Sequence, residues 1–128
     1  MNGSELIAEI LKKENVKFLS CFPSQPLIEA CAKLNIKPIM CRQERIGAAI
    51  ADGISRSTGG KHVGVFAMQQ GPGAENSFPG AAQSFADNVP VLIIPGGESL
   101  NKSFISPNFI STNNYANVTK WMAQVNDI

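Results

Sequence analysis

Charge is scarce in this sequence. Of its 128 residues only 16% are charged, and the formal balance is +1. An average soluble domain carries about 25%. So neutral a chain has no electrostatic footprint for nucleic acid, and no basic stripe with interleaved aromatics supplies one locally. Long apolar runs are missing too, and none approaches the ~20 residues of a membrane span. Glu5, Glu9, Lys12 and Lys13 break up the N-terminal stretch, which excludes a secretory signal there. Cysteine is limited to Cys21, Cys31 and Cys41. Three thiols at that spacing form neither a zinc pattern nor a disulfide framework. Each lies in or beside an apolar segment, so they read as buried thiols of a reducing, cytoplasmic compartment. The single histidine, His62, begins a strand behind Gly59-Gly60-Lys61 and reads as a surface residue, not a catalytic base. Two phosphate-binding loops are excluded as well. No Gly-Lys-Ser/Thr follows a glycine-rich turn, and G-x-G-x-x-G does not occur.

What is present is apolar material in a regular order. Hydrophobic residues make up 44% of the chain. One domain of this length buries roughly two thirds of the surface its unfolded chain would expose. Asn2 with Glu5 predicts a capped helix whose face is Leu6, Ile7, Ile10 and Leu11, stopped at Asn15. Val16 to Phe22 predicts a buried strand. Ser24 and Pro26 then open a second helix, burying Leu27, Ile28, Cys31 and Leu34. A strand at Ile36 to Cys41 leads to a helix from Gln43 to Thr58, closed by Gly59-Gly60. His62 to Met68 is the third strand. Ala74 to Phe85 reads as a helix that starts late or bends at Pro79. Val89 to Ile94 is the fourth and most apolar strand. Beyond Ser99 the pattern weakens to a polar loop with isolated Phe104, Ile105, Phe109 and Ile110, a short helix near Asn114 and a further short strand at Val118 to Trp121. Four alternations of strand and helix predict an α/β fold: a three-layer α/β/α Rossmann-like domain with a mostly parallel sheet, incomplete at its C-terminal end. Right-handed crossovers would gather the turns Pro23-Ser24, Arg42-Glu44, Gln69-Gly73 and Gly96-Glu98 at one sheet edge.

Two stretches stand out at that edge. In Met40-Cys41-Arg42-Gln43-Glu44-Arg45-Ile46-Gly47-Ala48-Ala49-Ile50-Ala51-Asp52-Gly53 a carboxylate, Glu44, enters the first turn of a helix. Taken alone, such a Glu is a surface charge favoured by the helix dipole, by ~0.3–1 kcal/mol. The small residues Gly47, Ala48 and Ala51 recur at helical spacing, which lets that helix lie close to a sheet and brings Glu44 to the carboxyl edge, where open α/β folds bind ligands. The second stretch, Gln70-Gly71-Pro72-Gly73-Ala74-Glu75-Asn76, follows a strand, and its glycines allow close backbone approach. Alone it is a turn.

Together, R-Q-E-R-I-G-A-A-I-A-D-G-I-S-R, then G-P-G-A-E-N, then A-D-N-V-P-V-L-I-I-P-G-G resemble the N-terminal, pyrimidine-binding domain of thiamine diphosphate enzymes, nearest the acetolactate synthase-like group. The resemblance runs from Leu6 to Trp121 and is most specific between Arg42 and Gly97. It implies that residues 1–128 form one such domain of a 2-keto acid carboligase or decarboxylase, with Glu44 bonding ring nitrogen N1′ and activating the cofactor. Pro23 and Ser24 stand at the family's Pro-Gly turn beside the pyrimidine, with Ser in place of Gly. Pro72, Gly73 and Asn76 match the loop lining the ring. Gln43 stands where many relatives have His. Gln70 either faces a substrate or only bonds the turn. The family's metal-binding G-D-G is absent, so this chain is expected to hold no metal. Mg2+ and the diphosphate are expected on a separate domain or chain, the diphosphate-binding domain of a second subunit in a homo-oligomer, dimer or tetramer. Two alternatives remain. One is a free-standing subunit of a two-chain decarboxylase of the sulfopyruvate or phosphonopyruvate type. The other is a non-catalytic α/β ligand-binding module.

Overall fold

A computed structural model describes residues 1–22, 26–107 and 110–126. The elements run α1 (Gly3–Lys13), β1 (Phe18–Cys21), α2 (Pro26–Lys33), β2 (Lys37–Met40), α3 (Glu44–Ser57), β3 (Gly64–Met68), α4 (Pro72–Ala86), β4 (Val91–Pro95) and α5 (Ser111–Tyr115). All pairings are parallel, in the order β2-β1-β3-β4. The expected three-layer α/β arrangement is therefore present.

Local chemistry sets the helix limits. Asn2 and Glu5 form a reciprocal capping box at the start of α1. Asn15, Asn35 and Asn88 follow α1, α2 and α4 with φ of 60°, 60° and 55°. Asparagine tolerates this left-handed conformation better than other residues with a side chain. Ala8, fully buried, takes the centre of the α1 face, whereas Ile10 is half exposed.

The two faces of the sheet carry different partners. Leu19 and Cys21 of β1 and Val65 and Ala67 of β3 join Ala8, Leu11, Leu27 and Cys31 in one core layer under α1 and α2. Phe66 and Met68 point the other way and meet Ala48 and Ala51 of α3. A third cluster joins Ala74 and Ala81 of α4 to Tyr115, with Phe78, Ile93 and Val118 against it. The chain moves one way from β1 to β2 through α2 and the other way from β2 to β3 through α3. Right-handed crossovers put those helices on opposite faces.

α3 lies close because its inner residues are small. A Cβ on Gly47 would stand 2.1 Å from Phe66 Cε2, and one on Gly64 would stand 1.8 Å from the Ala51 carbonyl oxygen. Ser20, buried in β1, donates to the Gly47 carbonyl at 2.8 Å and ties the start of α3 to the sheet.

Three expectations need correction or bounding. α4 does not start late; it runs from Pro72 through Pro79 to Ala86. Pro72 opens it as a first-turn residue, where a missing N–H costs nothing, and Pro79 lies on the exposed face. Val118 to Trp121 forms no strand. The Val118 N–H is given to the Tyr115 carbonyl at 3.1 Å and the Thr119 hydroxyl to the same oxygen at 2.9 Å, which folds this segment onto the end of α5 instead of the sheet edge. Pro23, Ser24 and Phe109 lie outside the described residues.

Candidate functional site at the carboxyl edge of the sheet

Parallel strands carry their following loops to one edge, and backbone bonds knit them there. Phe22 N–H reaches the Ala67 carbonyl at 3.2 Å, Cys41 N–H the Cys21 carbonyl at 2.9 Å, and Gly96 N–H the Met68 carbonyl at 2.8 Å. The strand order reverses between β1 and β3, which is where open sheets leave a crevice.

Glu44 is the first residue of α3. Its charge suits the partial positive end of that helix. It is nonetheless not on the surface: only 6% of it is exposed. The Asn76 side-chain amide donates from Nδ2 to Glu44 Oε2 at 2.6 Å. The other oxygen, Oε1, lies 3.3 Å from the point a Cβ on Gly73 would occupy. Gly71 precedes α4 with φ 61° and ψ −119°, a conformation that glycine adopts without strain. That turn sends α4 back so that Gly73 and Asn76 face Glu44. One carboxylate oxygen is thus held and the other looks over a bare glycine. The exposed Gln69 side chain packs over the same glycine, its Cγ 2.5 Å from where that Cβ would stand.

The remaining expected residues are more dispersed. Gln43 caps α3 through its backbone, makes no side-chain cap bond and is exposed. Pro72 is exposed on the first turn of α4. Gln70 donates from Nε2 to Glu98 Oε1 at 2.6 Å, linking the loops after β3 and β4. His62 is exposed at the opposite end of β3. Sequence reasoning missed two contacts. Asn76 touches Glu44 itself, and Glu98 is the partner of Gln70. The second was in principle readable, because Glu98 falls in the fourth of the loops that must share this edge.

The thiols are poor nucleophiles. Burial pushes Cys21 and Cys31 up to about 11, and Cys41 is raised for the same reason. They stay protonated near neutral pH, and a thiol is reactive only as thiolate. Among the described residues no group of three or more His, Cys, Asp or Glu is placed to hold a metal. No helix there is long and apolar enough to cross a membrane. A cavity of about 510 Å3 lies elsewhere, between the end of α4, β4, α5 and residues 118–123. Its walls are mainly apolar and do not include Glu44 or Asn76.

A family model described as "Thiamine pyrophosphate enzyme, N-terminal TPP binding domain" matches residues 1–117. The chain belongs to this family. It is 31% identical over 100 residues to an acetolactate synthase large subunit of Haemophilus influenzae, a match covering 75% of this chain and 17% of that protein. It is 34% identical over 99 residues to a probable acetolactate synthase large subunit of Methanocaldococcus jannaschii, covering 75% and 16%. It is also 35% identical over 101 residues to 2-hydroxyacyl-CoA lyase 2 of Bos taurus, covering 77% and 16%. This thiamine pyrophosphate enzyme domain therefore spans about a sixth of the length of the curated relatives it matches. Family membership carries with it the use of thiamine diphosphate.

Proposed function

We propose that this domain grips the aminopyrimidine ring of thiamine diphosphate in an acetolactate synthase-like carboligase or decarboxylase acting on 2-keto acids. The observation that carries the reading is the buried Glu44 carboxylate, one oxygen fixed by Asn76 and the other beside Gly73. When bound, the cofactor supplies an electron sink for breaking and making bonds next to a keto carbonyl.

The chain's own residues have separate tasks. Glu44 accepts a hydrogen bond from N1′, or shares its proton, in a crevice with little water, where such a bond gains strength. Gly73 carries no Cβ to cover Oε1, the exposed Gln69 side chain packed on it swings aside to admit the ring edge, and Pro72 fixes the turn that delivers the glycine. Pro23 and Ser24, which stand at the family's Pro-Gly turn in sequence, are assigned to the ring's surroundings by that resemblance alone. Gln43 and Gln70, at the mouths of β2 and β3, are the side chains of this domain assigned to the substrate side. The diphosphate and Mg2+ are held outside these residues, by another domain or by a second subunit of an oligomer.

The deciding experiment is steady-state turnover of a 2-keto acid by the complete protein, wild type against Glu44→Gln. Glutamine keeps the size and loses the proton relay. A lost general acid–base group costs typically 10²–10⁴ in rate, and a fall of about that size is expected. A Glu44→Gln protein of near-normal rate would remove Glu44 from the mechanism.

A further inference from the structure

We propose that Asn76 is a positioning residue for Glu44: its amide holds Oε2 so that Oε1 is presented to a ring nitrogen bound over Gly73. The proposal rests on the cofactor reading above and assigns Asn76 a role through Glu44, distinct from lining the ring.

The chemistry of the pair fixes its direction. A carboxylate only accepts, so the 2.6 Å contact requires the nitrogen of the Asn76 amide to face Glu44. Glutamate has three side-chain torsions. At the first turn of a helix it could equally swing toward its own backbone N–H groups or toward water. The bond from Asn76 removes that freedom, and the side chain stays buried. It also leaves the two oxygens unequal, with Oε2 bonded to Asn76 and Oε1 beside Gly73, under the exposed Gln69 side chain.

Asn76 is itself held from behind. The Tyr115 hydroxyl donates to the Ala74 carbonyl at 2.6 Å and lies 2.6 Å from Ser77 Oγ. The Asn114 amide bonds the Glu75 carboxylate on the same side of α4. These contacts fix the rotation of α4 about its axis. With Glu75 turned toward α5, the next residue, Asn76, faces α3. A side chain whose only service was to fill space would need neither this anchoring nor a donor aimed at one carboxylate oxygen.

The test is calorimetric titration of the complete protein, with Mg2+ present, using thiamine diphosphate and an analogue in which N1′ is replaced by C–H. Wild type is expected to favour the natural ring by about tenfold or more, the margin of one hydrogen bond to a charged group. Glu44→Gln should erase most of that preference. Asn76→Asp keeps the volume but loses the donor, and Asn76→Ser keeps a small polar group out of reach. Each is expected to cut the preference by at least about fivefold, because Oε1 is no longer held toward the ring. Either variant that folds, judged by its melting curve, decides the matter. If wild type prefers natural thiamine diphosphate and the Asn76 variants retain the full preference, the positioning role is overturned while the cofactor reading stands. If wild type does not discriminate between the two ligands, the cofactor reading fails and takes the proposal with it.

Discussion

At the residue scale, two glycines decide how close the pieces come. Gly47 sits where a methyl group would meet the Phe66 ring at 2.1 Å, in a fully buried layer. Gly47→Ala should therefore destabilise the fold by about 1–3 kcal/mol, the usual cost of overpacking, measured as a lower denaturant midpoint. Gly73 differs. Its added Cβ would meet the Gln69 side chain at 2.5 Å and Glu44 Oε1 at 3.3 Å. Gln69 is exposed and can swing aside, but Oε1 would be covered. Gly73→Ala is expected to melt within a few degrees of wild type yet to bind thiamine diphosphate at least about tenfold more weakly in the complete protein, one lost hydrogen bond's worth. A parallel loss of stability and affinity would mean that the glycine serves the fold alone. The G-P-G spacing made Gly73 readable as a turn residue. Its distance from a carboxylate that enters 29 positions earlier was not readable.

At the element scale, α3 and α4 are joined at two places besides the Asn76–Glu44 bond. Gly80 of α4 admits Ala48 of α3, where a Cβ on Gly80 would come within 2.5 Å of the Ala48 Cβ. On the outer side Arg56 bonds Asp52 at 2.8 Å and Asp87 at 2.9 Å, and Ser84 donates to Asp52 at 2.8 Å. The Arg56 hydrogen bond, helped by Ser84, holds the Asp52 carboxyl below its ordinary value of 3.8, against the opposing effect of burial. A carboxyl depressed in the folded state contributes stability that is present above its unfolded value and is lost as pH falls through the folded one. Asp52→Asn should therefore lower the melting temperature at about pH 7 and bring the variant toward wild type at about pH 2. An unchanged gap between the two melting curves across that range would show that the pair contributes nothing pH-dependent. Helix spacing made the pairing of Asp52 with Arg56, four residues apart, legible in the sequence. Asp87 and Ser84 join them only because α4 runs beside α3.

At the scale of the whole molecule, the site is one wall. Glu44, Gly73 and Asn76 come from two helices on the same face of the sheet. They offer a carboxylate and a donor, but no lysine or arginine is bonded to them and no metal cluster lies among the described residues. A diphosphate needs such groups. The 128-residue chain alone is expected to bind thiamine diphosphate weakly or not at all, and the complete protein to bind it with Mg2+, as read by calorimetry. Tight binding by the isolated chain would overturn the proposed division of labour between this domain and another. Phe104, Trp121 and Val125 are 95%, 72% and 73% exposed. Such residues carry favourable free energy only once water is removed from them.

The sequence alone determined the alternation of strands and helices, the helix stops at Asn15 and Gly59-Gly60, and the arrival of the loops after β2, β3 and β4 at one edge. Each of these follows from periodicity, caps and crossover handedness, which act over a few residues or bind any parallel sheet. Pairings between distant residues were beyond its reach: Asn76 with Glu44, Gln70 with Glu98, Phe66 beneath Gly47. So was the fate of Val118 to Trp121, which has strand-forming residues but gives the Val118 N–H to α5. Only the tertiary structure decided these, because helix phase and close approach depend on what is packed on the far side of each element.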